Sequence, residues 1–395
     1  MQEEPSVELQ SSEQAVRAYQ FSTHSVHAFK LKPRAAFACS LEGMGGQTVV
    51  AYGMDGTMQF WDPITQLLDL SLGKSELRMD YPEHVAQLSP SLLAVVPGTR
   101  SNNESGGRRG NDDVAAASVT FVNKRMSSQQ GFLQMEPVQP WAESPHEGPI
   151  SVVEGMLGCS RQCSERALML SGGAKDKKVY LWSVDLIGGR VAKAVHTQQM
   201  RAFHTSRVTA LRYEPSRGYV ISGAESGRIS INDVETGKLV MDTAKNTVRS
   251  VIGSLVASPV NCNIIMASCA STSDQLKLFD LRQRDMSIRP ALVLGNETAR
   301  TQSRYIRPAW HPDGCLVVCP VHRSSQSSSE AAASDGMVAI WDTRYARCDG
   351  EAPQTYHPHK APVWSAEFVE PKLPGLSMMV TTGGDHNIGF TSFRA

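Results

Sequence analysis

Ser334-Asp335-Gly336-Met337-Val338-Ala339-Ile340-Trp341-Asp342-Thr343-Arg344 reads as a tight turn, an alternating strand and a Trp-Asp pair. The Asp-Gly step makes the turn, because glycine tolerates a positive φ and aspartate can hydrogen-bond its own backbone. Val338 and Ile340 then alternate with their neighbours at the period of a strand. The aspartate stands six residues before the tryptophan, and the same interval separates Asp55 from Trp61 and Asp176 from Trp182. One interval used three times points to an internal repeat.

Around this stretch the chain falls into seven units. Their marks are Trp61-Asp62, Val122-Asn123, Trp182-Ser183, Asn232-Asp233, Phe279-Asp280, Trp341-Asp342 and Thr391-Ser392, 47–62 residues apart. Further features recur in phase. His146, His204 and His359 each precede an apolar strand residue (Ile150, Val208, Val363) by four positions. Tyr213-Glu214-Pro215, Trp310-His311-Pro312 and Phe368-Val369-Glu370-Pro371 place an aromatic residue just before a proline turn, and Ser222-Gly223-Ala224 and Thr381-Thr382-Gly383-Gly384-Asp385 form a small-residue strand. In order and phase these motifs resemble the WD-repeat (WD40-type) β-propeller family over nearly the whole chain.

The resemblance implies an all-β, seven-bladed propeller. A four-stranded blade cannot bury both faces alone, so blades stack around an axis and cover one another. It also implies closure of the ring by an N-terminal strand. The seventh unit runs out after its third strand, and the apolar alternation of residues 15–21 marks them as the candidate fourth. The propeller is thus expected over 13–395, after a polar, acidic and disordered segment 1–12. Residues 97–114 and 322–334 are too polar to pack and read as mobile insertions between the second and third strands of units two and six.

Composition bounds the function. Lys plus Arg and Asp plus Glu are each 39 in 395 residues, so net charge gives no argument for nucleic acid. The acidic start lacks a secretory signal, and no apolar run approaches the ~18–20 residues of a membrane span, which predicts an intracellular protein, cytoplasmic or nuclear. Eight cysteines in a chain of this length do not suggest a disulfide framework. Cys159/Cys163 and Cys315/Cys319 are spaced C-x3-C. Cys315 and Cys319 fall in a predicted strand, where i and i+4 lie roughly 13 Å apart, too far to share a zinc ion. Cys159 and Cys163, in a loop or strand end, are short of the roughly four ligands a structural zinc needs. With no phosphate loop, nucleotide fingerprint or nucleophile elbow, no enzyme activity, metal or cofactor is expected.

Two constellations stand out. The resemblance makes His146, Asp176 and Trp182, with His359 and Asp385, members of a buried structural hydrogen-bond network; a catalytic His–Asp dyad is the alternative. Unit three has one extra residue between Ser171 and Asp176, which argues against including that serine. Unit four has Ser226 and Asn232 in place of Asp and Trp, which predicts that its network is absent. The second constellation is Phe279-Asp280-Leu281-Arg282 and Trp341-Asp342-Thr343-Arg344, aromatic-Asp-x-Arg in consecutive units. It is similar to the paired box of WD-repeat substrate receptors of cullin–RING ubiquitin ligases. That likeness implies docking on the damaged-DNA-binding adaptor protein through Asp280, Arg282, Trp341, Asp342 and Arg344. The plainer reading is that each arginine pairs within its own blade. A general scaffold for peptides or histone tails is a further alternative, and so is a nucleic-acid groove formed by Arg282, Arg284, Arg289, Arg300, Arg304 and Arg307.

Overall fold

The innermost strand of each repeat is buried on both sides, as in Val208–Glu214, where six of seven residues are buried and Arg212 is the exception. The outermost strands carry the polar alternation, as in Leu67–Leu72 and Phe21–His27. Strands of this kind pack as stacked sheets with wet outer edges, and the computed structural model has seven antiparallel sheets in a ring: a seven-bladed β-propeller. The structure describes residues 20–41, 47–98, 119–126, 133–138, 145–188, 190–243, 248–271, 273–283, 287–295, 299–301, 303–323, 336–344, 354–370 and 376–394.

Blades one to six follow the chain, with first strands at Pro33–Ser40, Tyr81–Ser89, Ile150–Gly155, Val208–Glu214, Ile252–Ala257 and Ala309–Trp310. Blade seven is built from Val363–Val369, Ser377–Gly383 and Asn387–Phe393, with Phe21–His27 as its fourth strand. A hydrophobic cluster fills each seam between neighbouring blades. The cluster that seals the ring joins Phe29, Val49 and Trp61 of the first repeat to Val380, Ile388 and Phe390 of blade seven.

Closure comes from the N-terminal side, as the repeat count requires, but from Phe21–His27 rather than 15–21. This strand runs antiparallel to Asn387–Phe393, with Phe21 opposite Phe393 and His27 opposite Asn387. Phe21 anchors it, stacked on Tyr356 with ring centroids 4.4 Å apart, together with Val26 against the sealing cluster and Thr23 hydrogen-bonded to Tyr356 and Thr391. An outer strand with one solvated face has little apolar signal, so its polar sequence is less conspicuous than the apolar run before it. Residues 1–19, and with them segment 1–12, lie outside the described residues. Of the two expected insertions only Pro97, Gly98, His322 and Arg323 are described, all at strand ends.

Strand alternation divides the connections between two faces. Turns from first to second and from third to fourth strands share one face, hereafter the box face. The second-to-third turns and the blade-to-blade connections, which carry the histidines, share the other, the histidine face.

Candidate functional site

In blade three the buried polar chain is complete. Trp182 Nε1 donates to Ser171 Oγ (2.7 Å), His146 Nε2 lies 2.8 Å from that oxygen, and His146 Nδ1 lies 2.8 Å from Asp176 Oδ2. An indole N–H can only donate, so the serine hydroxyl passes its own proton to Nε2 and Nδ1–H donates to the carboxylate. Burial is the largest single influence and would raise the Asp176 carboxyl, but the hydrogen bond and charge of His146, with the backbone N–H groups of Lys178 and Glu147, together outweigh it and hold the group below the usual range. The side chains of His146 and Asp176 are 0% and 1% exposed, so the pair is sealed from solvent. Blade seven repeats the arrangement with Thr381: His359 lies 2.9 Å from Asp385 through Nδ1 and 2.9 Å from Thr381 through Nε2. Asp385 Oδ2 also accepts from the backbone N–H of Lys360 (3.1 Å).

Two expectations about this network are corrected. Ser171 is its hub. The extra residue of unit three, Lys175, is accommodated in the hairpin loop: Ala174 N–H bonds Pro149 just as Gly384 N–H bonds Pro362, so the strand register at the serine is unshifted. Blade four is not empty either. His204 Nε2 still meets Ser222 Oγ at 2.7 Å, although no carboxylate or indole completes the chain.

The two Asp-x-Arg turns have the same geometry. In blade five, Asp280 Oδ1 accepts from the backbone N–H of Arg282 (2.9 Å), and the guanidinium folds back with Nε at 3.0 Å and Nη2 at 2.7 Å from the carboxylate. In blade six the corresponding distances from Arg344 to Asp342 are 3.0, 2.9 and 2.5 Å. Each pairing holds its carboxyl below the usual range, chiefly through the arginine's hydrogen bond. The arginine side chains remain 60% and 53% exposed, and both turns follow a third strand, on the box face. Trp341 and Phe279 are fully buried in seam clusters and support the turns from beneath.

Of the arginines expected to form one groove, Arg284 lies outside the described residues, and Arg282, Arg304 and Arg307 do not share a surface. Arg282 stands on the box face, whereas Arg304 and Arg307 project into the central channel from the opposite end. Below them a cavity of about 840 Å³ follows the axis toward the first-to-second turns at Leu157, Pro215 and Pro259. Glu154, Arg212 and Glu367 line it; Arg212 Nη1 donates to Glu154 Oε1 at 3.1 Å. Burial pushes the Glu367 carboxyl up to about 8, against the pull of Arg212. Burial and Arg307 push His84 down to about 3. These channel groups drew no attention in the sequence, where each is one charged residue in an apolar strand. A charge recurring within the inner strands of several repeats is the signal that would have found them.

The chain matches no protein-family model, and no curated protein shows significant similarity to it.

Proposed function

We propose that this propeller is a protein-interaction scaffold that docks a partner on its box face through Arg282 and Arg344, as the substrate receptor of a cullin–RING ubiquitin ligase bound to the damaged-DNA-binding adaptor. One observation carries the reading: two Asp-x-Arg turns of matching geometry in adjacent blades, with both guanidinium groups solvent-exposed. Each aspartate fixes its arginine before any partner arrives, which lowers the ordering cost of association. The Nε and Nη2 edge is engaged by the aspartate, so a partner's carboxylate or backbone carbonyl would meet the outward edge of a guanidinium already held in place. Trp341 acts by stiffening its turn. The propeller fold, typical of non-catalytic scaffolds, fits this role.

The test is recovery of the adaptor from cell extract with the wild-type protein and with the double substitution Arg282→Ala, Arg344→Ala. Loss of an interfacial charged contact costs about 2–5 kcal/mol, enough to abolish a micromolar interaction. The double variant should lose the adaptor and keep its circular dichroism spectrum. A wild-type protein that never recovers the adaptor overturns the ligase reading and leaves a general scaffold.

A further inference from the structure

The histidine-face end of the channel is closed by a cluster of charge from four blades. Arg34 enters from the first strand of blade one, Glu83 from that of blade two, and Arg207 from the residue before blade four. Arg304 and Tyr305 come from the connection into blade six. Glu83 is the common acceptor. Its Oε2 takes Arg34 Nη2 at 3.1 Å; its Oε1 takes Tyr305 Oη at 3.0 Å and faces Arg207 Nη2 at 3.5 Å and Arg304 Nη2 at 3.8 Å. Charge-assisted N–H···O bonds close to about 2.7–2.9 Å when satisfied, so Glu83 is oversubscribed. Arg304 finds relief at Glu225 (2.8 Å) and on the Tyr305 hydroxyl (2.7 Å). Arg34 stacks on Tyr305, 4.0 Å from the ring centroid. Among the described residues Arg207 has the long contact to Glu83 as its side-chain ion pair, and its buried Nε–H, like that of Arg34, has no acceptor there.

With Arg307 just beneath, the mouth holds four guanidinium groups and two carboxylates. Burial and the neighbouring Arg304 push Arg207 below the ordinary guanidinium range, as expected for a cation short of counter-charge. The arginines at the rim are still 12%, 23% and 30% exposed, so an incoming group can reach them.

We propose that this mouth is an anion-binding site, in which a carboxylate or phosphate on an acidic peptide segment of a protein partner settles between Arg34, Arg207 and Arg304 and supplies the acceptor that Glu83 alone cannot. Forked guanidinium groups from three blades converge on one point, which matches a discrete oxyanion. Glu83 and Glu225 within the same site disfavour a continuous polyanion, so a peptide fits better than nucleic acid. The inference does not rest on the docking reading, because the two sites lie on opposite faces.

Fluorescence anisotropy tests it with three labelled probes: a Gly-Ser hexapeptide bearing one glutamate, the same hexapeptide bearing one phosphoserine instead, and a single-stranded DNA dodecamer. At least one of the two anionic peptides should bind, and the tighter one identifies carboxylate or phosphate as the source. Arg207→Gln should weaken that binding about tenfold or more, and Arg207→Lys less, because the charge remains while the fork is lost. Glu83→Gln removes the internal competitor and should tighten it, which keeps the test decisive if Arg207→Gln misfolds. Arg344→Ala should leave peptide binding unchanged, and Arg207→Gln should leave adaptor recovery unchanged. The proposal is overturned if neither peptide binds the wild-type protein, if folded Arg207→Gln binds as well as wild type, or if the dodecamer binds more tightly than both peptides.

Discussion

Blades three and four solve the same local problem with different inventories. Both place a histidine before the first strand and a serine on the second, and in both the imidazole Nε2 meets the serine oxygen at 2.7–2.8 Å. Blade three continues to Asp176 on one side and Trp182 on the other, so every member is used. Blade four has Ser226 and Asn232 at those positions. There the costs collect: His204 Nδ1, Ser230 Oγ and Asn232 Oδ1 are all buried and find no hydrogen-bond partner among the described residues. Burial, with a smaller push from Arg228, drives His204 down to about 4, so its imidazole stays neutral. A histidine in this position is therefore tolerated without its carboxylate. What the aspartate adds is an acceptor for the second ring nitrogen, and with it a chain whose ends are both satisfied.

The largest expected effect tests the complete chain. His146→Ala strips a buried carboxylate and a serine of their shared partner and should lower stability by about 3 kcal/mol, read as a shift in the urea midpoint. His204→Ala removes one hydrogen bond and an already orphaned nitrogen, and should cost only about 1 kcal/mol. Equal losses in the two variants would mean that packing, not the polar chain, sets the value of the histidine. The smallest effect is the sharpest comparison. Ser226→Asp places a carboxylate where blade three has one, and should stabilise by about 0.5–1 kcal/mol while raising the His204 pKa from about 4, followed by NMR titration. The sign of the pH dependence follows. Unfolded chains protonate this imidazole near 6.5 and the native blade does not, so wild-type stability falls as pH drops from about 6.5 toward about 4. Ser226→Asp should flatten that fall, and an unchanged slope would show that the new carboxylate does not reach Nδ1.

The repeat was readable because its marks, a turn, an alternating strand and a tryptophan position, are local and recur seven times. The Ser171 contact is not legible in residue spacing: an extra residue at a hairpin tip leaves the paired strand unmoved, and sequence distance from Ser171 to Asp176 does not reveal this. The closing strand is hard to read for a different reason. Hydrophobic alternation reports burial, and Phe21-Ser22-Thr23-His24-Ser25-Val26-His27 is an outer strand that buries little. The channel mouth was the least legible, since Arg34, Glu83, Arg207 and Arg304 come from four repeats and meet only once the ring is closed. The Asp-x-Arg turns, in contrast, are local sequence, and their internal pairing follows from spacing alone.

The strand that closes the ring has a consequence in time. Thr23 and Thr391 share a hydrogen bond across 368 positions of chain. At a ribosomal rate of about 5–20 residues per second, the first of these partners waits roughly 20–70 s for the second. Through that interval six blades can assemble in order while the seam beside blade one stands open, with Phe29, Val49 and Trp61 facing solvent. The propeller is thus at its most adhesive just before it is finished, and the arrival of the last thirty or so residues both completes the fold and ends its exposure to other chains.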